Sequence, residues 1–264
     1  MKVFRISLLI MSVVFLYAGV GYGAHPLTTD DTGTQGKGKY QVEIMFESFK
    51  DKEKESGISV RETGGEAAMA LSYGIIDNSD IIIEIPYIWE KTKEDGSVVS
   101  DTSGLSDISL SIKWRFYEKD SFKLALKPSI SLPTGDEEKG LGDGRPSYEI
   151  LFISSKEFEK ILLHANIGYL RRDYKLKEDE DRLRKDILKA SAAVEYKLVD
   201  SLRAVGNIEI ETNEEKGSSD HPISMVLGAI YSPHEDLDLD IGIRFGLNDS
   251  AEDIAGLAGI TWRF

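Results

Sequence analysis

The sequence has 264 residues, no cysteine and a formal net charge of −14. Without disulfides, a chain of this size must be stabilised by its core or by closure of a sheet. The acidic charge argues against nucleic acid as a partner, because phosphate binding needs basic clusters. A mean hydropathy of −0.24 leaves a membrane barrel open, since half of each barrel strand and all of its loops are polar.

Residues 1–23 have the three parts of a secretory signal peptide. These parts are Lys2 with Arg5, the apolar residues 6–20, and Gly21 with Gly23. We predict cleavage after Gly23 or Ala24 and export of the mature chain, whose charge falls from −14 to −16 when the two basic residues are removed. An uncleaved anchor is the alternative, but the apolar run is short for a spanning helix.

Residues 24–38, which include the polar stretch TTDDTGTQGKG at 28–38, precede the first regular pattern. This stretch is rich in residues that form turns. Two interpretations stay open. The preferred one is a flexible periplasmic lead-in, and the other is a plug that folds into the lumen of a barrel.

From residue 39 onward, apolar and polar residues alternate with a period of two, which predicts strands with one apolar and one polar face. Twelve segments show this pattern, and each has roughly the length of a tilted membrane-spanning strand. They are 39–49, 66–75, 80–89, two within 108–130, 147–155, 160–171, 186–198, 201–211, 221–232, 236–247 and 255–264.

The connections alternate between short turns, such as 76–79, and long polar loops. The long loops are 50–65, 90–104, 133–146, 172–185, 212–220 and 248–254. Sorting of loop lengths between two ends is typical of outer-membrane barrels. We therefore predict an all-β fold for residues 39–264: a single transmembrane antiparallel up-and-down β-barrel of about 12 strands, closed so that no strand edge meets lipid.

The chain ends on the strand GITWRF, with Trp262 and Phe264 at its end. A terminal aromatic residue after alternating apolar residues resembles the recognition signal of outer-membrane barrel assembly. We predict the bacterial outer membrane as the location, with its lipid and the barrel-assembly machinery as partners.

Four stretches together resemble the outer-membrane transporter family named for the meta-pathway of phenol degradation. They are residues 24–43, GLSDISLSIKWRF at 104–116, LALKPSISLPTGDEEKGLGDG at 124–144 and LHANIGY at 163–169. The resemblance covers the mature chain. It implies a β-barrel, with a link to the uptake of aromatic compounds.

The polar face of the strands would line the lumen. The candidate lumen-lining residues are Lys113, Arg115, Lys123, Lys127, Glu43, Glu84, His164, Asn166, Asp238, Asp240 and Arg244. The bases concentrate on the strands within 108–130, and acids lie on other strands. Two interpretations follow: a pore with a basic wall facing an acidic wall, or a lumen filled by ion pairs and closed to flow.

The glycine-rich loop at 133–144 contains three candidates for a constriction, Thr134, Asp136 and Asp143. It does not match a phosphate-binding loop, because no Gly-Lys-Ser/Thr follows. The preferred interpretation is an extracellular hairpin in which glycine permits positive φ. The four histidines form no zinc motif, and we predict neither a metal nor a cofactor.

We predict a passive channel or transporter for small molecules, aromatic or amphipathic ones among them, rather than an enzyme. The first alternative is a structural or surface-interaction barrel with a plugged lumen. The second is an outer-membrane hydrolase that uses His164 with Asn166. The phase of their strand turns both side chains toward the lumen, away from a lipid substrate.

Overall fold

The computed structural model describes residues 25–55 and 58–264, without the side chains at 53–58, so the predicted signal peptide lies outside the described residues. The strands are β1 (Tyr40–Glu55), β2 (Ile58–Ile76), β3 (Ser79–Glu94), β4 (Ser97–Leu105), β5 (Ile108–Lys119), β6 (Phe122–Leu132), β7 (Ser147–Glu157), β8 (Ile161–Arg171), β9 (Asp186–Val199), β10 (Leu202–Glu211), β11 (Ile223–His234), β12 (Leu237–Gly246) and β13 (Ile254–Arg263). A 3-10 turn covers Glu137–Lys139, and the helix α1 covers Lys177–Arg182. Among the described residues, no helix is long and apolar enough to cross a membrane.

The strands form a closed antiparallel barrel with twelve positions around its wall, which confirms the predicted fold. β4 and β5 share one position, because β3 pairs with β5 near Ile83 and with β4 from Tyr87 onward. Pro86 lies between these two pairings, and it has no N–H to continue the ladder. Its carbonyl instead accepts a hydrogen bond of 2.9 Å from the N–H of Ser106.

The barrel closes where β1 pairs with β13, from Gln41 opposite Arg263 to Lys50 opposite Ile254. At the start of this seam the backbones of Tyr40 and Phe264 exchange two hydrogen bonds of 2.8 and 3.0 Å. In lipid an unpaired strand edge would cost several kcal/mol for each unsatisfied group. The last strand therefore has to reach the first.

Two of the predicted long loops are wrong. Most of residues 50–65 and 90–104 continue the strands beyond the apolar pattern, as β1–β2 and β3–β4 hairpins. The β3–β4 turn is formed by Asp95 and Gly96 with φ of 46° and 87°, as expected for a type I′ hairpin. These extensions lack a continuous apolar face, so periodicity did not reveal them.

The apolar face of the strands points outward. Ile167 and Ile241 are 66% and 67% exposed, whereas their neighbours Asn166 and Asp240 are each 4% exposed. In a soluble sandwich this pattern would be reversed, with the apolar side chains inside. The outer surface therefore suits lipid, and the charged residues are sequestered in the lumen.

Candidate functional site

Residues 25–38, hereafter the lumen segment, run inside the barrel, where 25–32 are buried or half-buried, and reach its exposed rim at Lys37 and Gly38. They precede β1 and contact inward-facing side chains on strands spread around the wall. The barrel partners of these contacts are Asp80 on β3, Lys113 on β5, Lys127 on β6, Ser155 on β7, Asn207 on β10 and Asp240 on β12. The segment therefore crosses the space that a solute would have to pass.

Asp30 lies at the centre of these contacts. Its carboxylate accepts hydrogen bonds from the Nζ atoms of Lys113 and Lys127, at 2.6 and 3.0 Å. With its amide oxygen turned toward the segment, Asn166 accepts from the Asp30 N–H at 2.6 Å and donates to the Asp30 carbonyl at 3.0 Å. One residue of the segment thus has its carboxylate and its backbone bound by three inward-facing side chains.

On either side of Asp30, backbone N–H groups of the segment donate to the wall. The Thr29 N–H donates to the Oδ1 of Asn207 at 3.0 Å, and the Thr32 N–H donates to the Oγ of Ser155 at 3.1 Å. These bonds satisfy backbone groups in a stretch without regular structure, which would otherwise be costly to bury. They fix the path of the segment across the lumen.

His164 belongs to the same wall. Its Nδ1 lies 2.9 Å from the Oγ of Ser155, and its Nε2 lies 3.2 Å from a carboxylate oxygen of Glu195. Glu195 also accepts from the guanidinium of Arg203 at 2.7 Å. The side chain proposed for the hydrolase alternative is therefore only 5% exposed and part of the polar lining.

The acidic candidates on β12 and β1 are held by bases and hydroxyls. Asp240 pairs with His25 of the lumen segment, and Asp238 accepts from Arg203 at 3.2 Å and from Arg263 at 2.9 Å. Other contacts of this side are Arg244 with Glu47 and Glu252, and Glu43 with Thr261. Glu84 is buried on β3. Ion pairs thus fill much of the lumen lining.

The remaining two basic candidates lie toward the short turns. Arg115 approaches the carbonyl of Thr32 at 3.5 Å and pairs with Glu118 at 2.9 Å. Lys123 pairs with Glu118 at 3.2 Å and remains 30% exposed. The basic ladder of β5 and β6 therefore divides into a buried pair that binds Asp30 and a more open pair near the barrel rim.

At the opposite end, the loops between strands are joined by buried charges. Arg172 donates to Asp143 through Nε at 3.0 Å and Nη2 at 2.6 Å, and through Nη1 to Glu214 at 2.9 Å. These residues lie in three different loops. Burial raises the pKa of Glu214 to about 7, although Arg172 opposes this shift. We call Arg172, Asp143 and Glu214 the loop clasp.

The glycine-rich loop is anchored from the break between β4 and β5. The Asp107 carboxylate accepts from the N–H groups of Gly135 at 2.8 Å and of Asp143 at 3.0 Å. The Thr134 hydroxyl accepts from the Ile108 N–H at 2.9 Å. Of the three constriction candidates, Asp143 joins the loop clasp, Thr134 caps a strand start, and Asp136 stays at the surface.

Sequence reasoning did not single out Asp30, Arg172 or Asp107. Arg172 follows its strand directly and resembles an ordinary loop residue. One feature of the sequence could have pointed to Asp30. It belongs to an acidic pair in a polar stretch, and the strands of the same chain carry a ladder of basic residues. Asp107 lies in the Gly-Leu-x-Asp stretch, which is one of those on which the family resemblance rests. The resemblance assigned no role to this residue.

The two C-terminal aromatics occupy the seam of the barrel. Phe264 stacks on Tyr40 with ring centroids 5.6 Å apart and lies 5.4 Å from Trp262. Trp262 is 57% exposed on the outer surface. The terminal residue thus covers the junction of the first and last strands.

Residues 23–264 match the family described as "Putative MetA-pathway of phenol degradation". The chain belongs to this family. The stretches at 104–116 and 124–144, which carried the resemblance to this family, are joined in the structure by the hydrogen bond between Asp107 and Gly135. No curated protein matches the sequence significantly.

Solved structures share the fold of this member of the phenol-degradation family. The COG4313 outer membrane channel from Pseudomonas putida F1 has 14% identity and a TM-score of 0.67 over 89% of this chain and 98% of that one. The translocator domain of the autotransporter NalP from Neisseria meningitidis has 11% identity and a TM-score of 0.55, over 88% and 91%. The KdgM porin has 9% identity and a TM-score of 0.54, over 85% and 99%. At these identities the likeness establishes the outer-membrane barrel fold alone.

Proposed function

We propose that this protein is a passive outer-membrane channel for small polar or amphipathic molecules, whose conducting path is controlled by its own lumen segment. The observation that carries the proposal is the position of Asp30, held between Lys113 and Lys127 in the middle of the barrel. An inward-facing ladder of charges gives a solute polar contacts across the membrane. The segment occupies those contacts in the resting state.

The outer surface supports the proposed location in the outer membrane. Export with a cleaved signal peptide is part of the same proposal. Apolar residues cover the wall, and aromatic side chains such as Trp114 and Trp262 lie near the short-turn end. Aromatic girdles of this kind are typical of barrels at the membrane interface. Lipid and the barrel-assembly machinery are the partners that this surface and the C-terminal strand would require.

The test is a reversible tether between the segment and the wall. The chain has no cysteine, so the double variant Thr32→Cys/Ser155→Cys introduces a single cysteine pair between the segment and the wall. The Thr32 N–H and the Ser155 hydroxyl are 3.1 Å apart. The control is Ser154→Cys/Ala165→Cys, which joins two residues already opposite each other on β7 and β8. Single-channel currents are recorded in planar bilayers before and after reduction.

We expect the oxidised tether to hold the channel in its low-conductance state and reduction to restore the currents of the unmodified chain. The control pair should conduct equally in both states. Currents that are the same before and after reduction of the tether would contradict control by the lumen segment. Silence of the unmodified chain and of both reduced variants would favour the alternative, a structural barrel with a permanently plugged lumen.

A further inference from the structure

We propose that Lys113 and Lys127 form a binding site for a small organic carboxylate, and that Asp30 occupies this site as a built-in substitute for it. The inference rests on the proposed function, since it names the chemical class of the solute. A carboxylate entering the lumen would take the place of the Asp30 side chain and release the segment. Binding and opening would then be the same event.

The geometry of the site is that of carboxylate recognition. One oxygen of Asp30 lies 2.6 Å from the Lys113 Nζ, and the other lies 3.0 Å from the Lys127 Nζ. The two lysines are only 7% and 6% exposed, and the carboxylate side chain is fully buried. Two ammonium groups buried this deeply are costly without an anion between them. The two ammonium groups therefore favour an anion between them, and Asp30 supplies it in this structure.

Further polar groups lie beside the lysines on the same two strands. Ser111 and Ser129 face the lumen, with their hydroxyl oxygens 2.8 Å apart. Asn166 contacts the backbone of residue 30 from β8. A free ligand without a peptide backbone would leave that amide and the hydroxyls available for a second polar group. The site thus suits a carboxylate that also carries a hydrogen-bonding substituent.

The carboxylate of the segment can be exchanged. The described hydrogen bonds between residues 28–33 and the barrel involve barrel side chains, so no strand ladder has to break when these residues leave the wall. A tethered ligand acts as an internal competitor with an effective concentration on the order of millimolar. A ligand that binds the open form better shifts the population toward it.

The experiment is a calorimetric titration of the refolded full chain in detergent micelles with benzoate, and with benzyl alcohol as the uncharged probe of similar size. Asp30→Asn removes the competing charge with little change of shape. Asp30→Asn/Lys113→Gln/Lys127→Gln also removes the proposed site, without leaving an unpaired Asp30. The matched control is Asp30→Asn/Lys123→Gln, which removes a lumen-facing lysine that pairs with Glu118 instead.

We expect Asp30→Asn to lower the half-saturating benzoate concentration by about tenfold or more. The triple variant should lose this gain in affinity for benzoate, and Asp30→Asn/Lys123→Gln should keep it. Equal binding of benzoate by Asp30→Asn and the unmodified chain, or equal binding of benzyl alcohol, would overturn the proposal. The titration does not depend on conductance, so a silent barrel that still shows this pattern would refute transport but retain the site.

If Asp30→Asn perturbs the barrel, its heat-dependent mobility on a denaturing gel will reveal it. The rise in current on adding benzoate to the unmodified chain then gives a second measurement. This rise should require lower concentrations of benzoate than of benzyl alcohol, and the difference should vanish in Lys113→Gln. An equal rise with both probes, or no rise with benzoate, would also overturn the proposal.

Discussion

Arg172 and Asp143 form a two-point hydrogen-bonded pair that links the loop after β8 to the loop after β6, with donor–acceptor distances of 3.0 and 2.6 Å. Both side chains are almost fully buried, at 4% and 6% exposure. Glu214 adds the loop after β10 to the same guanidinium. Three loops that are far apart in the chain therefore behave as one covering structure at this end of the barrel.

Replacing Arg172 by alanine should loosen these loops. The change leaves the buried carboxylate of Asp143 and the partly buried carboxylate of Glu214 without their cation, and breaking a buried pair costs about 3–5 kcal/mol. We expect faster limited proteolysis within residues 133–146 and 172–185. Arg171→Ala is the control, because Arg171 pairs with Asp186 at the exposed surface. Equal cleavage of both variants would show that the loop clasp does not hold the loops.

The loop clasp should also respond to pH through Glu214, whose pKa is raised from 4.5 to about 7 by burial, against the effect of Arg172. Asp143 and Glu211 raise this pKa further, and Lys189 lowers it. Between these two values the folded protein holds a proton that the unfolded chain has lost. This group's contribution to stability therefore falls as pH rises from about 4.5 to about 7.

Denaturant midpoints at pH 5 and pH 8, for the unmodified chain and for Glu214→Gln, measure this effect. We expect the loss of stability between the two pH values to be smaller in Glu214→Gln, because glutamine cannot ionise. The same loss in both proteins would assign the pH dependence to other groups.

A charge on the outer face should destabilise the barrel in proportion to its depth. Ile241 lies at the middle of β12 and is 67% exposed on the outer surface. Ile241→Arg should cost about 2–4 kcal/mol in a bilayer, and Ile241→Leu should be nearly neutral. Reversible unfolding in lipid vesicles measures both variants. A neutral effect of the arginine would contradict contact of this face with lipid.

Loss of the terminal aromatic ring should impair barrel assembly. Phe264 stacks on Tyr40, and their backbones exchange the hydrogen bonds that begin the seam. We expect Phe264→Ala to reduce the folded fraction in outer membranes, scored by heat-dependent gel mobility. Phe264→Tyr keeps the ring and should assemble like the unmodified chain. Normal assembly of Phe264→Ala would show that the terminal aromatic ring is not required for barrel assembly.

The period-two pattern was enough to predict the barrel and the twelve positions around its wall, because a strand in lipid must keep one face apolar along its length. The pattern failed to predict strands that do not keep one face apolar. Residues 50–55 and 90–94 pair as strands, and no apolar face marks them. Their register was set by neighbouring strands and by the Asp95–Gly96 turn instead.

The candidate site was only partly predictable for a related reason. The inward residues Lys113 and Lys127 followed from strand phase, but their partner Asp30 lies in a stretch without periodicity. The contact joins residues 83 positions apart, and one sequence gives no register for an irregular segment. The loop clasp was missed for the same reason, since Arg172 and Glu214 meet only when two loops fold together.

The lumen segment precedes every strand of the barrel, yet its contacts span most of the sequence. Thr29 meets a residue 178 positions away, and His25 meets one 215 positions away. Contacts of such separation form late, because loop closure costs entropy before any contact repays it. The wall that supplies the partners is complete only when β13 pairs with β1. We therefore expect the segment to stay outside its binding site through assembly and to take its place after the seam has closed, so that the residues before β1 are the last part of the barrel to settle.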